Sequence, residues 1–139
     1  MEITANALQT VEENQNVLFT DTVVCGNYSI IHRSGGGLVT LRGITQQCRA
    51  RFRVSFGGNI ALPADGVVGP ISLAIAIDGE PIAATTMIET PAAVEEFSNV
   101  FSSVFLNIPA GCCSQISVRN TSGVPIDVQN ANLIVERVA

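Results

Sequence analysis

Cys48-Arg-Ala-Arg-Phe-Arg-Val-Ser-Phe56 alternates without a fault. Ala50, Phe52, Val54 and Phe56 fall on one side and Arg49, Arg51 and Arg53 on the other, which is the two-residue period of a half-buried strand. Three of the seven positive charges of the chain thus stand in a row on one strand face. All seven are Arg, and the chain contains no Lys. Charged residues make up only 14% of 139, against about one quarter in a typical soluble domain. A lone chain of this mass exposes roughly 7,000 Å², and so few charges cover it thinly. Arg is favoured and Lys disfavoured in protein interfaces, because the guanidinium is weakly hydrated and makes two-pronged bonds. Arg49, Arg51 and Arg53 are therefore candidates for an interface between copies of the chain. A solvated outer strand face is the other reading that the alternation allows.

The same period recurs outward from this stretch. After it, Gly57-Gly58-Asn59 predicts a break or bulge, and Pro63 and Asp65-Gly66 a loop. Ile71-Ser-Leu-Ala-Ile-Ala-Ile77 puts its large residues on one face and Ser72, Ala74 and Ala76 on the other. Asp78-Gly79 then supplies the positive φ angles of a tight primed turn, so Glu80 to Met87 is the returning strand. The near-uncharged small-residue face calls for a covering layer or a neighbouring subunit. Before the opening stretch, Tyr28 to Arg33 and Leu38 to Arg42 flank Ser34-Gly35-Gly36-Gly37 as a second hairpin, and Val17 to Thr22 is a strand near the start.

Residues 90 to 109 are ambiguous, because Val94, Phe97, Val100, Phe101, Val104, Phe105 and Ile108 also match a helical stripe. Beyond Glu96, however, the residues are mediocre helix formers, and Phe and Val are good strand formers. We expect a strand from about Ser98 to Ile108, after a helical turn near Ala92 to Glu96. Phe97, Phe101 and Phe105 then share one face with Asn99, Ser103 and Asn107. Their simplest place is the core of one subunit, and the other is a seam between subunits. Gln115 to Asn120 and Val128 to Val138 complete the strands. In the last, Ala131, Leu133 and Val135 face the core, with Asn130, Asn132, Ile134 and Glu136 opposite. Nine or ten short strands without a firm helix predict an all-β protein, a two-sheet antiparallel β-sandwich of jelly-roll type. The domain covers residues 16–139. Residues 1–15 are read as an arm or an edge strand, with Ile3, Leu8 and Val11 as the residues that reach a partner.

Several chemistries find no support. A net charge of −5 argues against general nucleic-acid binding. The most apolar run, Val67 to Ile77, is too short to cross a bilayer and is interrupted by Gly69 and Pro70. The N-terminus lacks a basic start and an apolar stretch, so no export signal is expected. Reduced thiols are then the default for Cys25, Cys48, Cys112 and Cys113. No Cys-x-x-Cys pair exists, and His32 has no second imidazole, which disfavours zinc. His32 also lacks a nucleophile and a supporting acid beside it. Glu12-Glu13 and Glu95-Glu96 would point apart on a strand rather than share a proton. Ser34-Gly-Gly-Gly lacks the Lys and Ser/Thr of a phosphate loop. Asp65, Asp78 and Asp127 form no calcium-ligand run. No catalytic residue, cofactor or metal is predicted, and the chain is expected not to be an enzyme. Asn27-Tyr-Ser29 and Asn120-Thr-Ser122 match glycan acceptors, relevant only in a secreted eukaryotic chain.

Taken together, Phe52-Arg-Val-Ser-Phe-Gly-Gly-Asn59, Gly69-Pro-Ile-Ser-Leu-Ala-Ile-Ala-Ile-Asp-Gly-Glu-Pro81, Phe97-Ser-Asn-Val-Phe101 and Ile108-Pro-Ala-Gly-Cys-Cys113 resemble the jelly rolls related to tumour necrosis factor and complement heads. With Asn16-Val-Leu-Phe-Thr20 and Asn130-Ala-Asn-Leu-Ile-Val-Glu136, the chain looks more closely like small stand-alone proteins of Firmicutes bacteria and their phages. The likeness spans roughly Val17 to Val138 and contains no single diagnostic signature. It implies a homotrimer whose inner sheets pack about a threefold axis, here without a collagen stalk. It also implies that the arginine strand, the Phe-rich strand and the last strand lie in that sheet. Arg51 and Arg53 would then face other subunits, with Glu136 the acid placed to pair with them. The function expected is that of a structural protein of a phage virion, a decoration trimer that binds capsid or tail lattice after assembly in the bacterial cytoplasm. The alternative is a glycan- or receptor-binding head on a bacterial cell or spore surface, a reading disfavoured by the absence of Trp and the single Tyr.

Overall fold

In the computed structural model, which describes residues 1–139, the chain forms twelve strands and one turn of 3-10 helix at Ala83–Thr85. The strands are β1 (Glu2–Ala5), β2 (Gln9–Val11), β3 (Asp21–Val24), β4 (Ile30–His32), β5 (Val39–Arg42), β6 (Arg49–Ala61), β7 (Ile71–Ile77), β8 (Glu80–Pro81), β9 (Met87–Glu89), β10 (Ser98–Pro109), β11 (Cys113–Asn120) and β12 (Ile126–Arg137). They make two antiparallel sheets. The first has the order β10-β6-β12-β1-β3, with β2 also against β12. The second has the order β4-β5-β11-β7-β8, with β9 also against β7. No helix is long and apolar enough to cross a membrane. The surface amounts to 7028 Å², close to the scaling expected for one compact chain of this mass.

Alternation decides which face of each sheet is covered. Ala50, Phe52, Val54 and Phe56 of β6 are fully buried, as are Leu73 and Ile75 of β7, and Val135 joins them from β12. The rings of Phe19 and Phe56 meet edge to face between the sheets, 6.4 Å apart. The small-residue face of β7 is covered by this same chain, since Ala74 and Ala76 have no exposure. Asp78 (φ 51°) and Gly79 (φ 84°) form the primed turn that the Asp-Gly pair predicts.

Several expectations need correction. Gly57-Gly58-Asn59 does not break β6, which runs on to Ala61. The irregularity lies in β12, where Gln129 pairs with Asn59 and Asn132 with Gly57, so two residues oppose Gly58 alone. Asn130 takes up the extra length with φ 56°. The bulge shifts the phase of β12, so that Val128 before it and Ala131 after it both reach the core. Gly58 makes this approach feasible, because a Cβ there would stand 3.4 Å from the Ala131 Cα and 3.3 Å from the Phe56 ring.

The expected strand Val17 to Thr22 is regular only from Asp21. Val17 N–H donates to the Val118 carbonyl at 2.8 Å, in the second sheet, and Thr20 N–H to the Thr4 carbonyl at 3.0 Å, in the first. The segment crosses between sheets, which interrupts any single ladder. The returning strand Glu80 to Met87 is likewise split into β8, the 3-10 turn and β9. Thr85 explains the split: its buried hydroxyl donates to the Ile82 carbonyl at 2.7 Å and accepts from Ile75 N–H at 2.9 Å. Residues 92–96 form bends and a turn rather than a helical turn, with Glu95 at φ 57°.

The N-terminal segment is not a free arm, and only its second strand is an edge: β2 pairs with β12 alone. β1 lies between β12 and β3, and Ile3 and Val11 are core residues with at most 2% exposure. Their apolar side chains, read as reaching a partner, instead complete the sandwich beside the last strand. Leu8, in the connection between β1 and β2, is the one of the three that stays exposed, at 55%.

Candidate self-association face

The outer face of the first sheet follows from the register. β10 pairs with β6 over its full length, from Ser98 opposite Ile60 to Pro109 opposite Arg49. Odd-numbered residues of both strands point away from the core. Across the sheet this gives one row of Phe105, Arg53 and Glu136, then Ser103, Ser55, Ile134 and Glu2, then Phe101, Gly57, Asn132 and Thr4.

The arginine stripe is exposed, as the alternation requires. Arg53 lies 3.7 Å from Glu136, and each side chain is about half exposed. Such a pair contributes at most about 1 kcal/mol in a solvated monomer. Arg51 Nε donates to Asn107 Oδ1 at 3.3 Å across the strand pair. Arg49 stands opposite Pro109 at the end of the ladder. Further polar pairs complete the face: Ser55 and Ser103 hydroxyls at 2.9 Å, Asn99 Nδ2 donating to Asn59 Oδ1 at 3.2 Å, and Asn132 Nδ2 donating to the Glu2 carboxylate at 2.6 Å.

Phe97, Phe101 and Phe105 do not belong to the core of the subunit, the simplest place for them. They point outward and are 40%, 65% and 62% exposed, while Val100, Leu106 and Ile108 of the same strand face inward and are buried. From Phe97 to Phe105 the stripe extends about 27 Å at strand rise. Ile134, 41% exposed on β12, is a further apolar side chain on this face, beyond Ser55 toward the middle of the sheet. Its position opposite the core was readable, and an Ile on a polar face was the signal that marked it for the face.

Elsewhere the surface is less organised. A pocket of about 370 Å³ on the second sheet is lined by Ile31, Arg33, Leu38, Thr40 and Gln115 with Gly36 and Gly37, and this lining includes no carboxylate or thiol to act as base or nucleophile. His32 has a structural place, with Nε2 2.9 Å from the Gly36 carbonyl and its ring edge-on to Phe19. No three His, Cys, Asp or Glu side chains come together in a metal-binding arrangement. Asn120 cannot accept a glycan in the folded chain, because its side chain is fully buried. Its Nδ2 donates to the carbonyls of Val11 and Val124 at 3.0 and 2.9 Å.

No protein-family model and no curated protein sequence matches the chain. Solved structures do. The chain is similar to the globular domain of zebrafish complement 1qA protein, at a TM-score of 0.63 and 13% identity over 96% of this chain and 93% of that one. It is similar to Eiger TNF from S. frugiperda at 0.68 and 14%, over 100% and 92%. For murine APRIL the values are 0.59 and 9%, over 91% and 95%. At these identities the likeness establishes the fold: a jelly roll of the tumour-necrosis-factor and complement-head type.

Proposed function

We propose that this chain is a non-enzymatic assembly module that forms a homotrimer through the outer face of the first sheet, and that the trimer is a structural component of a phage particle. One observation carries the self-association: the line of exposed Phe97, Phe101 and Phe105 beside Ile134, on a face of otherwise short, mutually bonded polar side chains. Exposed large apolar side chains gathered on one sheet face mark an interaction site in a soluble protein. Aromatic anchors with Arg at their margin are the side chains that dominate interface energetics. In such a ring Arg51 and Arg53 face other subunits, so their charges need a carboxylate, and Glu136 is the acid placed to supply it. Three is the copy number that the resemblance implies.

A trimer suits a lattice partner. It meets three equivalent points at once, and weak contacts gain through high effective concentration. Light scattering of the purified chain at micromolar concentration is expected to give three times the chain mass, and a monomer mass ends this reading. For the particle, purified virions are expected to contain the chain at a fixed stoichiometry. Its absence from every particle type of its host would leave the trimer without this role.

A further inference from the structure

We propose that the pocket on the outer face of the second sheet binds a sugar acid, a compact hydroxyl-rich molecule whose single carboxylate is held by Arg33. The site is built from one chain alone, so it stands apart from the self-association proposed above.

Strand register sets the row on which the pocket rests. Ile31 of β4 lies opposite Thr40 of β5, and Thr40 lies opposite Gln115 of β11. Their neighbours Ile30, Val39, Leu41 and Ile116 are buried, so alternation turns Ile31, Thr40 and Gln115 outward. Arg33, which follows β4, and Leu38, which precedes β5, flank the row, and Gly36 and Gly37 complete the lining.

The Ser34-Gly35-Gly36-Gly37 loop is fixed in place by the segment beside it. Gly35 N–H donates to the Phe19 carbonyl at 2.8 Å and the Ser34 hydroxyl to the Thr20 carbonyl at 2.7 Å, while His32 Nε2 donates to the Gly36 carbonyl at 2.9 Å. A Cβ on Gly37 would stand 2.8 Å from the Val17 carbonyl oxygen, so only glycine lets the loop lie this close. The rim is therefore ordered before a ligand arrives, which lowers the cost of binding.

Inside this frame the unspent bonding capacity has one sign. Five of the seven arginines bond within the chain: Arg42 to the Tyr28 carbonyl, Arg51 to Asn107, Arg53 to Glu136, Arg119 to the Gly79 carbonyl and Arg137 to Ser29. Arg49 belongs to the association face, which leaves Arg33 as the one guanidinium with neither a partner nor a place there. The Gly37 N–H also donates to no group of the chain. Asp78 accepts from the Gln115 backbone N–H at 2.9 Å and lies outside the lining.

A lone guanidinium matches one negative charge, and its planar fork matches a carboxylate. An amine finds no acid in the lining. Thr40 and Gln115 can each donate and accept, which suits the hydroxyl groups of a sugar. Ile31 and Leu38, 48% and 44% exposed, give its C–H face an apolar contact. The volume of about 370 Å³ falls within the range of small-molecule sites, about 300 to 1,000 Å³. No aromatic ring lines the pocket, so recognition is by charge and hydrogen bonds rather than by stacking.

The test is ligand-observed saturation-transfer NMR on the full chain at neutral pH. Glucuronate, galacturonate and N-acetylneuraminate are the probes, and glucose is the neutral counterpart. At least one acid is expected to bind saturably and about tenfold or more tightly than glucose, the factor of one charge-assisted hydrogen bond. Arg33→Gln should weaken that binding by a similar factor with circular dichroism unchanged, because its side chain holds no other part of the chain. Arg119→Gln, on the same sheet face but outside the lining, should leave it as it is. The site is overturned when none of the three acids binds, when glucose binds as tightly, or when Arg33→Gln keeps the affinity. Inorganic phosphate that competes as well as the acid itself reduces the pocket to an unselective anion contact, which overturns the assignment too. Each outcome reads the same whether light scattering finds one chain or three, so failure here leaves the self-association untouched.

Discussion

At the scale of single residues, Asn120 and Arg51 show how differently two polar side chains can matter. Asn120 is fully buried at the end of β11, and it bonds the carbonyls of Val11 and Val124 while its Oδ1 accepts from Ser122 N–H at 2.9 Å. It ties the end of β2, more than a hundred residues away, to the turn that follows β11, and its loss strands the carbonyls of Val11 and Val124 away from water. Asn120→Ala is expected to destabilise the fold by about 2–3 kcal/mol, the cost of leaving such groups unpaired. Urea unfolding measures this directly, and a loss below about 0.5 kcal/mol contradicts the bonding described. Arg51 is exposed and bonded only to Asn107. Arg51→Glu should leave the unfolding midpoint within about 0.5 kcal/mol of the parent and weaken self-association by roughly tenfold or more. Unchanged assembly returns the arginine stripe to solvent. Asn120 could be found in the sequence only as an acceptor triplet, because its partners at Val11 and Glu12 come from more than a hundred positions away. The exposure of Arg51 needed nothing beyond alternation on one strand.

At the scale of elements, β10 combines two tasks on its two faces. Val100, Leu106 and Ile108 hold it to the core, and Phe101 and Phe105 face outward. Phe101→Ser and Phe105→Ser should therefore leave the monomer folded, with circular dichroism unchanged, and lower the assembly constant by at least about thirtyfold each. That factor corresponds to roughly 2 kcal/mol for an interface anchor. Loss of folded protein would place the rings in the core after all. Strand type and inward faces were legible wherever alternation ran unbroken, as in β6, β7 and β12. Legibility failed where the chain changes sheets, as at Val17 to Thr20, or where a side chain takes over a backbone bond, as Thr85 does beside Ile75. It failed also at the glycine pair of β6, which accommodates a bulge in its neighbour instead of forming one. A period-two pattern marks which side of a strand is apolar, but not which partner strand absorbs an extra residue. For the same reason Phe97, Phe101 and Phe105 could be assigned a common face while the side it faced stayed open.

At the scale of the molecule, the first and last strands lie together. β1 pairs with β12 from Glu2 opposite Ile134 to Ala5 opposite Ala131, and the amino terminus donates to the Val135 carbonyl at 2.6 Å. β12 also fills the space between β1 and β6 and is the sole partner of β2, so without it the first sheet is three separate pieces. Until β12 is in place, Ile3 and Phe56 lack their common neighbour, Leu133. Closing the first sheet therefore depends on pairing residues more than a hundred positions apart, which is the slow, late kind of contact in folding. A copy in which that pairing has not formed also lacks Ile134 and Glu136 on its outer face, so it offers its siblings an incomplete association surface and folding precedes joining.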